Sequence, residues 1–148
     1  MADFYKVEDF ELREAFGYLM ALVRKRTVEL LDEEFAPLGL KSVQAFVLVG
    51  VAHGMPTAAS FCKLLQHDPG AMTRIVDRLE KAGLLRRVRA AGDRRKAHLE
   101  LTDGGRKILP KIKLGAVKVF NQVLRPLSNA EAKQLVGLLK RLAEEEPA

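Results

Sequence analysis

The sequence predicts a mainly α-helical domain interrupted by one small β-hairpin, and three observations carry that prediction. Apolar residues recur at helical spacing along most of the chain. After Gly83 the pattern changes from period 3.6 to period 2, up to Leu101. Proline, glycine and cap-forming residues cut the helical pattern into discrete pieces. At 148 residues with 48% hydrophobic content, the chain fits one domain spanning 1–148 with a core of ordinary size.

The first helix is expected from about Glu8 to Phe35, where Leu12, Phe16, Leu19, Leu22, Val23, Leu30 and Leu31 fall at helical spacing and the Pro37 and Gly39 of "APLGL" stop it. A second, about Ser42 to Ala52, is apolar on nearly every side and is expected to be buried. "HGMP" ends it. Thr57 is placed to cap a short helix, about Ala58 to Leu65, which breaks at "QHDPG". There Asp68 suits an N-cap and Pro69 the first helical position, opening a helix to Ala82 with Gly83 as its stop. On that helix Met72, Ile75, Val76 and Leu79 share one face, and Gly70, Ala71, Thr73, Arg74, Asp77 and Arg78 are left on the other. Two short helices meeting at a turn, the second with a polar face carrying Arg and Thr, make a helix-turn-helix.

After Gly83 "LLRRVR" reads as a strand, "AAGD" as a turn and "RRKAHLEL" as the returning strand, with Ala97, Leu99 and Leu101 on one face and Lys96, His98 and Glu100 on the other. A hairpin in that position turns the helix-turn-helix into a winged helix, here over about residues 40–102. The turn can carry Arg94 and Arg95 to a DNA backbone or minor groove while the preceding helix lies in the major groove. Thr102 then caps a helix to about Leu124, with a bend expected at Pro110. Ser128 and Glu131 have capping-box spacing for a last helix to about Glu145. One of these helices carries Ile108, Ile112, Val117, Phe120 and Leu124, the other Leu135, Leu138, Leu139 and Leu142. A winged helix does not need such faces, so the outer helices, about 8–36 and 103–145, are expected to bury them in a homodimer.

Charge narrows the function. Net charge is +6, but residues 1–40 carry 5 Lys/Arg against 9 Asp/Glu, whereas residues 84–125 carry 12 against 3. Positive charge concentrated on one region is the footprint of a polyanion partner. A single cysteine excludes an intramolecular disulfide, the N-terminus lacks the pattern of a signal peptide and the apolar runs are too short for a membrane span. A cytoplasmic location without membrane contact is expected. No Ser/His/Asp set, cluster of acids or nucleotide loop points to an enzyme. "LTDGGRK" lacks phosphate-loop spacing and reads as a helix start. His53, Cys62 and His67 match no zinc pattern, so neither metal nor cofactor is expected, and Cys62 reads as a packing residue.

The helix order, with "DPGAMTRIVDRLEKAGLL" followed by "GDRRKAHLELTDGGRK" and two long helices, resembles the multiple-antibiotic-resistance regulator (MarR) family over almost the whole chain. The resemblance implies a dimeric bacterial transcription regulator on pseudo-palindromic double-stranded DNA, released in many members by a small aromatic or phenolic effector. Carried over, Arg95 enters the minor groove, Asp93 braces the wing, Arg94 lies near phosphate, and Thr73 and Arg74 face the major groove. Gly70 stands where relatives often have a DNA-contacting serine. Lys41 replaces a usual capping threonine, leaving Ser42 as the expected cap.

Plainer readings stand beside these. Asp77 and Arg78 read as locally paired or solvated ahead of base contacts, and Arg86, Arg87 and Arg89 as phosphate contacts or simply exposed strand residues. Lys96 shares the basic turn. An effector pocket is expected between the outer helices and the DNA-binding lobe, where Phe16, Phe46 and His53 are either liners or core. The alternative function is an architectural or protein-binding winged helix without ligand response.

Overall fold

The computed structural model describes residues 3–55, 57–89 and 97–144. Helix α1 spans Phe16–Phe35, α2 Ser42–Ala52, α3 Ala58–Leu65 and α4 Pro69–Lys81. Strand β1 is Leu85–Arg89 and β2 Ala97–Leu101. Helix α5 is Asp103–Leu124 and α6 Asn129–Glu144.

The first helix begins two turns later than its apolar spacing suggests. Residues Val7–Asp9 and Leu12–Glu14 form separate 3-10 turns, and Ala15 is extended at φ −68°, ψ 135°. Ala15 has no side-chain acceptor to offer the first turn. The Tyr5 hydroxyl supplies one, accepting the Phe16 N–H at 2.8 Å. Tyr5 is fixed by edge-to-face neighbours, Phe4 at 4.9 Å and Phe10 at 6.0 Å between ring centroids.

The cap of α2 also differs from expectation. Lys41, not Ser42, is the N-cap residue, and its side chain has no acceptor. Gln44 Oε1 instead accepts the Lys41 N–H at 2.8 Å, and Asp32 of α1 accepts the Ser42 N–H at 2.7 Å. Burial pushes the Asp32 carboxyl up, but the Ser42 hydrogen bonds and the Lys41 charge outweigh it and hold the group below its ordinary value of 3.8. Helix α2 buries Ala45, Val47, Leu48 and Gly50 but leaves Phe46 exposed on its outer side.

The other caps follow local chemistry. Thr57 Oγ1 accepts from Ser60 N, Asp68 Oδ1 from Ala71 N, and Thr102 Oγ1 from Gly105 N. Ser128 and Glu131 make the reciprocal box, Glu131 Oε2 accepting the Ser128 N–H at 2.8 Å and Ser128 Oγ the Glu131 N–H at 3.3 Å. The strands pair antiparallel from Leu85↔Leu101 to Arg89↔Ala97, which puts Leu85, Leu99 and Leu101 inward.

One core joins these elements. Phe35 from α1, Val47 and Leu48 from α2, Phe61 from α3, Met72, Val76 and Leu79 from α4, Leu85, Leu99 and Leu101 from the hairpin and Ile112 from α5 form a single buried cluster. Each large side chain buried there contributes about 1.5–3 kcal/mol. Gly105 is required where α5 crosses the hairpin base, because a Cβ at that position would overlap the Leu84 carbonyl oxygen. The double glycine of "LTDGGRK" is thus a packing device in the first turn of α5. That helix continues through Pro110 to Leu124.

Candidate nucleic-acid interface and effector cleft

Helix α4 is anchored on one side only. Met72, Val76 and Leu79 are fully buried, whereas Gly70, Thr73, Arg74, Asp77 and Arg78 are exposed and Ala71 is half-buried. Asp68 fixes the start of this helix. The N–H donated by Ala71, helped by that of Gly70 and by the Arg74 charge, keeps its carboxyl below the ordinary range and therefore ionised. Thr73 donates its hydroxyl hydrogen to the Pro69 carbonyl at 2.8 Å, so the oxygen is presented outward as an acceptor. The missing side chain at Gly70 leaves a gap bordered by Asp68 Oδ1 and Arg74 Nη1, which would lie 3.0 and 3.7 Å from a Cβ.

Arg87 is held by the carboxylates of α4. Its backbone N–H donates to Glu80 Oε1 at 2.8 Å, and its guanidinium donates to Glu80 Oε2 and forms an ion pair with Asp77 Oδ1 at 2.7 Å. Asp77 and Glu80, three residues apart on α4, thereby hold β1 against the helix. Of the two readings open for Asp77, this geometry is the local pairing, with Arg87 as the partner it shares with Glu80. Across the strands Arg86 donates through Nε and Nη2 to Glu100 Oε2, at 3.1 and 2.8 Å. Arg89 is exposed at the outer end of β1. Asp93, Arg94, Arg95 and Lys96, the expected wing tip, lie outside the described residues.

A cleft of about 730 Å³ opens between α2 and α5, lined by Val49, Ala52, His53 and one side of α5 that includes Arg106, Leu109, Lys113 and Phe120. Its wall is apolar except for three basic side chains, His53, Arg106 and Lys113. His53 Nδ1 donates to the Val49 carbonyl at 2.8 Å. Arg106 Nη1 donates to the Leu101 carbonyl at 2.9 Å and Nη2 to Asp103 at 2.6 Å. The Arg106 hydrogen bond and charge hold the Asp103 carboxyl below its ordinary value.

Of the three residues expected in the pocket, His53 lines it and Phe16 and Phe46 do not. Phe16 sits at the start of α1, 52% exposed, and the Phe46 ring stands edge-on to Phe61 at 6.3 Å, short of the point on α2 where the cleft begins. Arg106 and Lys113 were not singled out from the sequence. Their signal is the repeat Arg106, Leu109, Lys113, Ala116, Phe120, a stripe along one side of a helix whose apolar members also read as dimer surface. Cys62 packs against the core, and His67 lies with Arg24 beside the α3–α4 turn. Among the described residues no group of three His, Cys, Asp or Glu side chains is arranged for a metal ion, and no single helix is long and apolar enough to cross a membrane.

Residues 38–96, the lobe containing α2 to β1, match the MarR family profile. The chain is 30% identical over 127 residues to the HTH-type transcriptional repressor MdtR of Bacillus subtilis, covering 85% of this chain and 81% of that protein. It is 30% identical over 128 residues to the multiple antibiotic resistance protein MarR of Escherichia coli, covering 85% of this chain and 89% of that one. The crystal structure of a cysteine-to-serine mutant of E. coli MarR complexed with operator DNA superposes with a TM-score of 0.76 at 28% identity, over 90% of this chain and 99% of that one. Sequence, helix order and the α4–hairpin geometry agree: the chain belongs to the MarR family of winged helix-turn-helix transcription regulators.

Proposed function

We propose that this regulator is a homodimeric repressor that reads a pseudo-palindromic operator with α4 and its wing, and leaves it when a small aromatic anion enters the α2–α5 cleft. The observation that carries the DNA reading is the one-sided anchoring of α4. Its apolar face is locked in the core and its Thr73–Arg74 face stands free beside a basic hairpin, the arrangement by which such a helix is laid in a major groove. Thr73 and Arg74 are the base-edge candidates. Arg78 and Arg89 on α4 and β1, and Arg94 by the family resemblance, are the phosphate candidates, Arg95 is the minor-groove candidate, and Gly70 and Ala71 allow close backbone approach.

Dimerisation is supported by apolar surface that one chain leaves uncovered. Helix α6 has no buried residue although it carries Leu135, Leu138 and Leu142, and Phe4, Val7, Phe10 and Leu12 are exposed ahead of α1. The effector class is argued from the cleft: an apolar wall favours a ring, and the Arg106 and Lys113 cations, with no acid in the lining, favour an anionic substituent. Selection of bound fragments from a random DNA pool tests the reading. Two-fold symmetric sites with half-sites about one helical turn apart are expected, and recovery of no preferred sequence would contradict it.

A further inference from the structure

We propose that Arg106 both recognises the anion in the cleft and reports its arrival to the wing, an inference that rests on the cleft being the effector site. Arg106 is part of the cleft wall, and its guanidinium donates to the carbonyl of Leu101, the last residue of β2, and to Asp103 at the start of α5. The hairpin base is otherwise fastened through Thr102, whose N–H donates to Leu84 O at 3.2 Å and whose hydroxyl donates to Gly83 O at 2.6 Å. Arg106 is therefore the side chain, among the described residues of the cleft wall, that hydrogen-bonds the end of the hairpin.

The competition between its partners decides the outcome. Both side chains of the pair are largely exposed, Arg106 at 59% and Asp103 at 87%, so water and salt screen their attraction. A carboxylate seated against Leu109 and Pro110, about one turn from Arg106 on α5, meets the guanidinium with an apolar wall on one side, where the same charges attract more strongly. The planar fork also accepts a carboxylate through two parallel hydrogen bonds, which Lys113 cannot offer. The ligand takes Arg106, Leu101 O and Asp103 lose it, and the base of the wing loosens while the Thr102 bonds keep the hairpin attached. Ligand and wing thus compete for one side chain, and by linkage operator DNA weakens the ligand as much as the ligand weakens operator DNA.

Salicylate is the probe. Its binding to the full-length dimer is measured by calorimetry, and operator affinity by fluorescence anisotropy with and without saturating salicylate. Wild-type protein that fails to bind salicylate or any benzoate analogue overturns the cleft reading itself, and the relay with it. Given binding, Asp103→Asn separates the two: removing the competitor is expected to tighten salicylate about threefold or more and to weaken operator binding in its absence. Arg106→Gln is expected to weaken salicylate at least tenfold and, once saturated, to keep its operator affinity. A merely structural Arg106 would give no tightening in Asp103→Asn, a variant at an exposed position that does not depend on Arg106→Gln folding. Unchanged or weaker salicylate binding in Asp103→Asn, or operator release by saturated Arg106→Gln, overturns the relay while leaving the cleft as a binding site.

Discussion

Arg87 and Arg94 are both cations of the hairpin region, and they are expected to behave differently because Arg87 is held by carboxylates whereas Arg94 is proposed to meet phosphate. Arg87 is held by Asp77 and Glu80. Arg87→Ala should weaken operator binding by loosening β1 from α4, yet leave the slope of affinity against salt unchanged, since no counterion release depends on it. Arg94→Ala, if this residue meets phosphate, should weaken all sequences alike and reduce the slope by about one counterion. A salt titration of both variants on operator and random DNA checks the contrast, and equal slopes would contradict it. Arg74→Ala should instead relax preference at one symmetric pair of operator positions, costing about 1–3 kcal/mol per lost base contact. Measurement on operator and on single-mismatch operators reads it. These distinctions were only half legible in the sequence. The polar face of α4 follows from helical period, but which arginine finds a carboxylate depends on where β1 comes to rest over α4, and no local pattern encodes that.

At the level of elements, stability rests on caps and crossings that can be tested singly. Gly105→Ala should cost about 1–3 kcal/mol or more, as overpacking does, because its Cβ would meet the Leu84 carbonyl rather than a movable side chain. Denaturant unfolding measures it, and a neutral result would show the crossing to be looser than described. Asp32 supplies a pH test. Its folded carboxyl titrates below 3.8, so the stability it supplies is fully present above that value and is lost as pH falls through the lower folded one. Asp32→Asn should therefore lower stability at neutral pH and flatten the loss of stability below about pH 4; parallel acid profiles for both proteins would count against the Ser42 contact. The boundaries of α2, α3 and α4 were readable because Pro, Gly, Thr57 and Asp68 act within one turn. The start of α1 was not, because the acceptor for Phe16 comes from Tyr5, eleven residues upstream. The break after α3 falls where expected, but it is made by Gln66 at φ 51°, a left-handed position that composition assigns to glycine or asparagine. On α5, an apolar stripe cannot by itself tell a cleft wall from a partner surface, so Arg106 and Lys113 emerged only with α2 laid alongside.

For the whole molecule, the proposed reading of a two-fold operator requires two recognition helices at a fixed separation, and the uncovered apolar faces of α6 and of the segment before α1 are the surfaces proposed to provide it. Substituting Leu135 and Leu138 together by Asp should give a monomer by sedimentation and remove most operator affinity while the lobe of α2 to β2 keeps its fold by circular dichroism. A monomer that still bound operator tightly would refute the need for two copies. The central claim is that α4 and the wing together read DNA sequence, and the most direct measurement is an anisotropy titration of selected operator and of random DNA with wild type, Arg74→Ala and Arg95→Ala at one fixed salt concentration. Operator should bind at least about a thousandfold tighter than random DNA, Arg74→Ala should narrow that ratio, and Arg95→Ala should lower operator affinity while base preferences in the major groove persist. Equal affinity for operator and random DNA, or a ratio untouched by either substitution, would contradict the account.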